Sequence, residues 1–116
     1  MAFTITIGLA TEHDLKLFLE RVAPKLHAQS RTLAEGEDGL HRIALSVTTP
    51  NAAREICSQL VAFLAHAKNT RVDLFWTGAN GEEQSGQIEA GDQRSAEIVA
   101  LRLVHAARAA LEGAKA

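Results

Sequence analysis

Histidine, cysteine and carboxylate side chains would carry any chemistry in this chain, and their spacing is the first thing to weigh. There are five histidines, His13, His27, His41, His66 and His105. A zinc centre gathers ligands that converge, and the local sequence usually shows this as H-x-x-x-H or H-x-H pairs or as cysteines close by. No two of the five have that spacing, and Cys57 stands apart from all of them. All except His41 are expected on helices beside charged or polar neighbours, where histidines are commonly just solvated. A functional metal is not expected.

Cys57 falls on the apolar stripe of a helix, between Ile56 and Leu60 in space. A nucleophilic thiolate needs partial exposure and an electropositive neighbour. This position predicts a small buried hydrophobe instead. Asp73 lies in the strand Val72-Asp73-Leu74-Phe75-Trp76-Thr77, on the side of Phe75 and Thr77. Its carboxylate must face water or find a cation such as Arg71 or Arg42, and pairing is expected over catalysis. Glu82-Glu83 forms one acidic tip, and Glu35, Glu37 and Asp38 form another. At loop tips such clusters solubilise a turn rather than serve acid–base chemistry. The glycines Gly78, Gly81, Gly86 and Gly91 make no G-x-G-x-x-G, and neither a Walker A motif nor a G-x-S-x-G elbow occurs. The residues therefore point away from an enzyme and call for no cofactor.

Composition narrows the classes further. The chain has 116 residues, 47% hydrophobic and 22% charged, which predicts one ordinary globular domain over residues 1–112 and a frayed tail over 113–116. Twelve Lys and Arg against fourteen Asp and Glu leave a net charge of −2 with no like-charged block. A nucleic-acid backbone or an anionic membrane surface is thus not the expected partner. Aromatic residues make up 4% and Tyr is absent, which argues against a base-stacking surface. One cysteine, no apolar run near the roughly 20 residues of a membrane span, and no basic leader at MAFTITIG suggest a cytoplasmic protein.

The elements that would position these residues follow from periodicity. Phe3, Ile5 and Ile7 alternate with Thr4, Thr6 and Gly8, as in a strand with one buried face. Thr11 then caps a helix with Leu15, Phe18, Leu19, Val22 and Leu26 on its core stripe, kinked or tightened at Pro24 and ending by about Gln29. Thr32 to Glu35 is a weak strand, Glu37-Asp38-Gly39 a turn, and Ile43, Leu45 and Val47 the buried side of a strong strand. Thr49-Pro50 opens a second helix carrying Ala53, Ile56, Cys57, Leu60, Val61 and Leu64, widened by Phe63 and Ala67 and closed at Asn69-Thr70. The apolar strand from Val72 meets the turn Gly78-Ala79-Asn80-Gly81, and an almost wholly polar strand follows, from Glu82 to Ala90. The first of the pair looks buried on both faces, the second an exposed edge. Gly91-Asp92 caps a last, alanine-rich helix from about Gln93 to Leu111.

This order predicts an α+β fold, a ferredoxin-like β-α-β-β-α-β core with an added strand and a C-terminal helix. Its helices should cover one face of a mostly antiparallel sheet. Trp76, the one large aromatic, is expected in the core, with an interface anchor at the sheet's end as the other possibility.

The run from the helix Ile56–Ala67 through Arg71-Val72-Asp73-Leu74, the turn Thr77 to Gly81, the polar strand and the helix Ser95–Leu111 resembles the effector-associated constant component family. These are small α+β domains of bacterial conflict systems, encoded beside effectors or fused to them. The resemblance covers about half the chain, and the polar strand Glu82–Glu89 departs from it by lacking alternating valines. It implies a non-catalytic adaptor or effector-coupling module whose partner is another protein, such as a co-encoded effector, and a homodimer fits as well. The expected partner surface is the polar strand and the last helix, through Trp76, Gln84, Ser85, Gln87, Glu89, Arg102 and Arg108. The alternative is a dimeric ferredoxin-like domain that binds or converts a small molecule in a pocket between sheet and helices.

Overall fold

The computed structural model describes residues 2–33, 39–66, 71–78 and 80–112, without the side chain of His66. Strand β1 (Phe3–Leu9) leads into helix α1 (Glu12–Arg21), a 3₁₀ turn (Ala23–Lys25) and strand β2 (Gln29–Thr32). Strand β3 (His41–Val47), helix α2 (Pro50–His66), strands β4 (Arg71–Thr77) and β5 (Glu83–Glu89) and helix α3 (Gln93–Leu111) complete the chain. The cap residues act as their types dictate. Thr11 accepts the Asp14 amide at 3.1 Å, Thr49 accepts that of Ala52 at 3.2 Å, and Asp92 accepts that of Ser95 at 3.1 Å.

Every neighbouring pair in the sheet is antiparallel, and the strand order is β2-β3-β1-β4-β5. The first four strands have the ferredoxin-like arrangement, and β5 extends it beyond β4. The register sets Ile5 against Leu45, Ile7 against Ile43, and Val72 against Ile88. These side chains share one face, because directly opposed residues of an antiparallel pair project to the same side. Phe18 of α1, Ile56 and Leu60 of α2, and Val99 and Leu103 of α3 close over it, and all five are buried. Burying a side chain such as Ile5, Leu60 or Leu103 completely contributes about 1.5–3 kcal/mol relative to leaving it in water. Thr4, Arg42, Ser46, Phe75, Thr77, Ser85 and Gln87 occupy the opposite face, which no described helix covers. There the Arg42 guanidinium lies 4.9 Å from the Phe75 ring centroid.

Two sequence expectations are corrected. Helix α1 ends at Arg21, short of Gln29, and Pro24 lies within a separate 3₁₀ turn that starts at Ala23. Val22 and Leu26 are nevertheless buried, so the helical stripe continues into a segment that is no longer α-helical. The chain then enters β2 at Gln29, earlier than the expected strand at Thr32–Glu35, whose last two residues lie outside those described. The acidic tip Glu35, Glu37 and Asp38, the Asn69-Thr70 helix end, Ala67, Ala79 and the tail 113–116 are also outside the described residues. No helix among the described residues is long and apolar enough to cross a membrane.

Candidate interaction site

The free edge of β5 is defined by the phase of its pairing with β4. The Gly78 amide donates to the Glu82 carbonyl at 2.7 Å, continuing the register in which Thr77 faces Glu83. Bonded and non-bonded pairs alternate in an antiparallel ladder. Counting in twos from Gly78 and Glu82 makes Trp76–Gln84, Leu74–Gly86 and Val72–Ile88 the bonded pairs. Glu83, Ser85, Gln87 and Glu89 therefore turn their N–H and C=O groups outward, to the edge that no other described strand flanks. Their side chains are exposed on the uncovered face of the sheet.

Helix α3 guards part of that edge. Arg102 Nη1 donates to the Ser85 carbonyl at 3.0 Å, and its guanidinium sits 5.0 Å from the Trp76 ring centroid. At the other end the Glu89 amide donates to Ser95 Oγ at 3.2 Å, and the Ser95 hydroxyl donates to the Asp92 carbonyl at 2.8 Å. The Glu89 carbonyl accepts the Asp92 amide at 3.1 Å across a turn in which Gly91 has φ +77, a left-handed conformation that suits glycine. Close approach of α3 depends on Gly86. A Cβ there would lie 2.8 Å from Val99 Cγ2 and 3.2 Å from the Trp76 ring.

Ser95, Ile98 and Arg102 fall at i, i+3 and i+7, so Ile98 shares the flank that touches β5. It is 50% exposed, and Leu101, three residues further on, is 68% exposed. These are the exposed large hydrophobics of the described residues. Neither stood out in the sequence, because a surface leucine or isoleucine on a helix is legible only once the covered face is known.

The sequence-selected residues divide into two groups. Ser85, Gln87, Glu89 and Arg102 come together at the β5 edge. Trp76 does not present a contact surface: it is 4% exposed, because even-numbered positions of β4 point toward the helices. Gln84 also points inward, half-buried, and its Oε1 accepts the Trp76 indole N–H at 3.0 Å. Arg108 is exposed, but its six-residue spacing from Arg102 turns it about 120° away around the helix.

Elsewhere the chemistry stays sparse. Cys57 is 2% exposed, and burial pushes its thiol up to about 12, so a reactive thiolate is disfavoured. Asp73 is 8% exposed and lies 3.7 Å from Arg71 Nε, the pairing its sequence context required. A hollow of about 380 Å³ beside it is lined by Arg71, Asp73, Leu40 and Glu89. A larger one, about 570 Å³, opens on the uncovered sheet face over Thr4, Thr6, Arg42, Phe75 and Ser85. His27 lies in the segment after the 3₁₀ turn, off any helix, with Nδ1 3.1 Å from Glu55 Oε2. Among the described residues no three of His, Cys, Asp and Glu gather as a metal site would require. Compared with protein-family models, with curated proteins and with solved structures, the chain finds no match.

Proposed function

We propose that this protein is a non-catalytic interaction module that engages another protein through the free edge of β5 and the adjoining flank of α3. The carrying observation is the half-guarded edge itself. Glu83, the Ser85 amide and both backbone groups of Gln87 face outward beside an exposed Ile98. Strand addition draws its affinity from such main-chain groups and its specificity from the side chains next to them. The likeness to the effector-associated constant component family supports the same reading, with a co-encoded effector as the partner. A small-molecule function has less behind it, since the space between sheet and helices is filled by Phe18, Ile56, Leu60, Leu74 and Leu103.

The test is cross-linking in the producing cell, with a photoreactive phenylalanine analogue placed singly at Gln87, at Ile98, or at Arg31 on the far edge. The expected result is one shared protein adduct from Gln87 and Ile98, absent from Arg31. Gln87→Pro should then abolish the Ile98 adduct. It removes an outward N–H without touching the β4 ladder, a position where edge strands tolerate proline. Identical adducts from all three sites, or none, would overturn the proposal.

A further inference from the structure

The charges around the edge specify what kind of strand it takes. On the uncovered side of β5 the exposed side chains are Glu83, Ser85, Gln87 and Glu89; Glu89 has Arg71 of β4 directly across the ladder, so Glu83 is the carboxylate that meets a partner within the paired stretch. On the helix side an added strand would lie along the α3 flank, where Arg94, Ile98 and Arg102 are exposed. Arg102 marks that flank directly through its bond to the Ser85 carbonyl. Glu97 is not part of it, because it lines a groove toward α2 with Arg54 and Ser58. The two sides of one strand position therefore carry opposite charge. Successive side chains of a strand alternate between those sides.

We infer that the partner segment is an extended strand of alternating character, with Lys or Arg on the uncovered side and acidic or apolar residues on the α3 side. This rests on the interaction reading above and gives its partner a chemistry. The paired stretch is short. The Glu89 amide and carbonyl are taken by Ser95 and Asp92, so pairing runs along Glu83 to Gln87. At Ser85 the incoming strand meets the Arg102 guanidinium, which suits a carboxylate, and beside it Ile98 suits an aliphatic side chain.

A second copy of β5 brings no cation to that face, since within Glu83 to Gln87 its uncovered side carries only Glu83, Ser85 and Gln87. A basic-faced partner strand supplies the charge that a second copy lacks.

Two synthetic peptides of identical composition decide the point when titrated into the full-length ¹⁵N-labelled protein. The first, acetyl-Lys-Glu-Lys-Ile-Lys-Glu-Lys-amide, has the required alternation. The second, acetyl-Glu-Lys-Lys-Ile-Lys-Lys-Glu-amide, puts Lys on the side of Ile and Glu at the ends of the other. The first should shift the amides of Glu83, Ser85 and Gln87 and bind at least tenfold more tightly, with a preference that shrinks as salt is raised. Glu83→Lys combined with Glu89→Lys, both exposed positions, should erase that preference. Equal binding of the two peptides, or no shift at β5 from the first, overturns the charge pattern. The cross-linking experiment does not depend on peptide composition, so it separately decides whether the edge is used at all.

Discussion

The two edges of the sheet solve the same problem differently. β2 has four residues, all exposed, and its pairing with β3 is extended by a single bond from the Leu33 amide to the Arg42 carbonyl at 2.9 Å. β5 has seven residues, with Ile88 alone fully buried, and α3 reaches over to hold one of its outward carbonyls and one of its outward amides. A very short strand offers little template for another chain, whereas a long one must be charged, capped or covered. Brevity protects β2 everywhere. The caps on β5 take the Ser85 carbonyl and both backbone groups of Glu89, and leave those of Glu83 and Gln87 and the Ser85 amide facing outward. An edge guarded in places is a more specific docking site than one left open along its whole length.

Substitutions should separate the two edges by magnitude. The largest contrast is Gly86→Val against Ser30→Val. The first drives a side chain into Val99 and Trp76 and should cost about 1–3 kcal/mol in urea unfolding. The second adds a β-branched residue to an exposed strand and should stay within about 0.5 kcal/mol. Equal losses would mean that α3 does not seat on β5 as described. Ser95→Ala comes next. It removes the acceptor of the Glu89 amide, and the loss of one such bond, about 1 kcal/mol, should speed hydrogen exchange there roughly fivefold. Exchange at Gln87, whose outward amide is not held by α3, should not change. The smallest effect belongs to Arg102→Ala. It gives up an exposed cation–π contact of about 0.5–1 kcal/mol and frees the Ser85 carbonyl, a modest loss of melting temperature.

What the sequence made legible follows from where the information is local. The Thr11, Thr49-Pro50 and Asp92 caps, the alternation of β1 and β3, and the span of α3 are written in neighbouring residues, and all appear as expected. The polar edge strand was also readable, since only one of its residues had to be buried. The end of α1 was not. Val22 and Leu26 keep a helical period because both face the core, although the α-helix ends at Arg21 and the backbone between them is a 3₁₀ turn around Pro24. The inward pairing of Trp76 with Gln84 was half readable, from the alternation of β4. The grip of Arg102 and Ser95 on β5 was not readable at all, because it depends on where a distant helix comes to rest. Arg102 and Arg108 read alike in the sequence of the last helix, and the structure brings Arg102 to β5 and turns Arg108 away.

Cys57 gives the molecule a built-in clock. It sits on α2 at the floor of the groove that α2 shares with α3, 2% exposed, and burial pushes its thiol up to about 12. A thiol reagent in solvent therefore reaches it faster as those two helices loosen. The rate at which the native protein is modified reports that opening, with no label added and no residue changed. Because α3 is also the helix that guards β5, the same sulfur times the loosening of the guard.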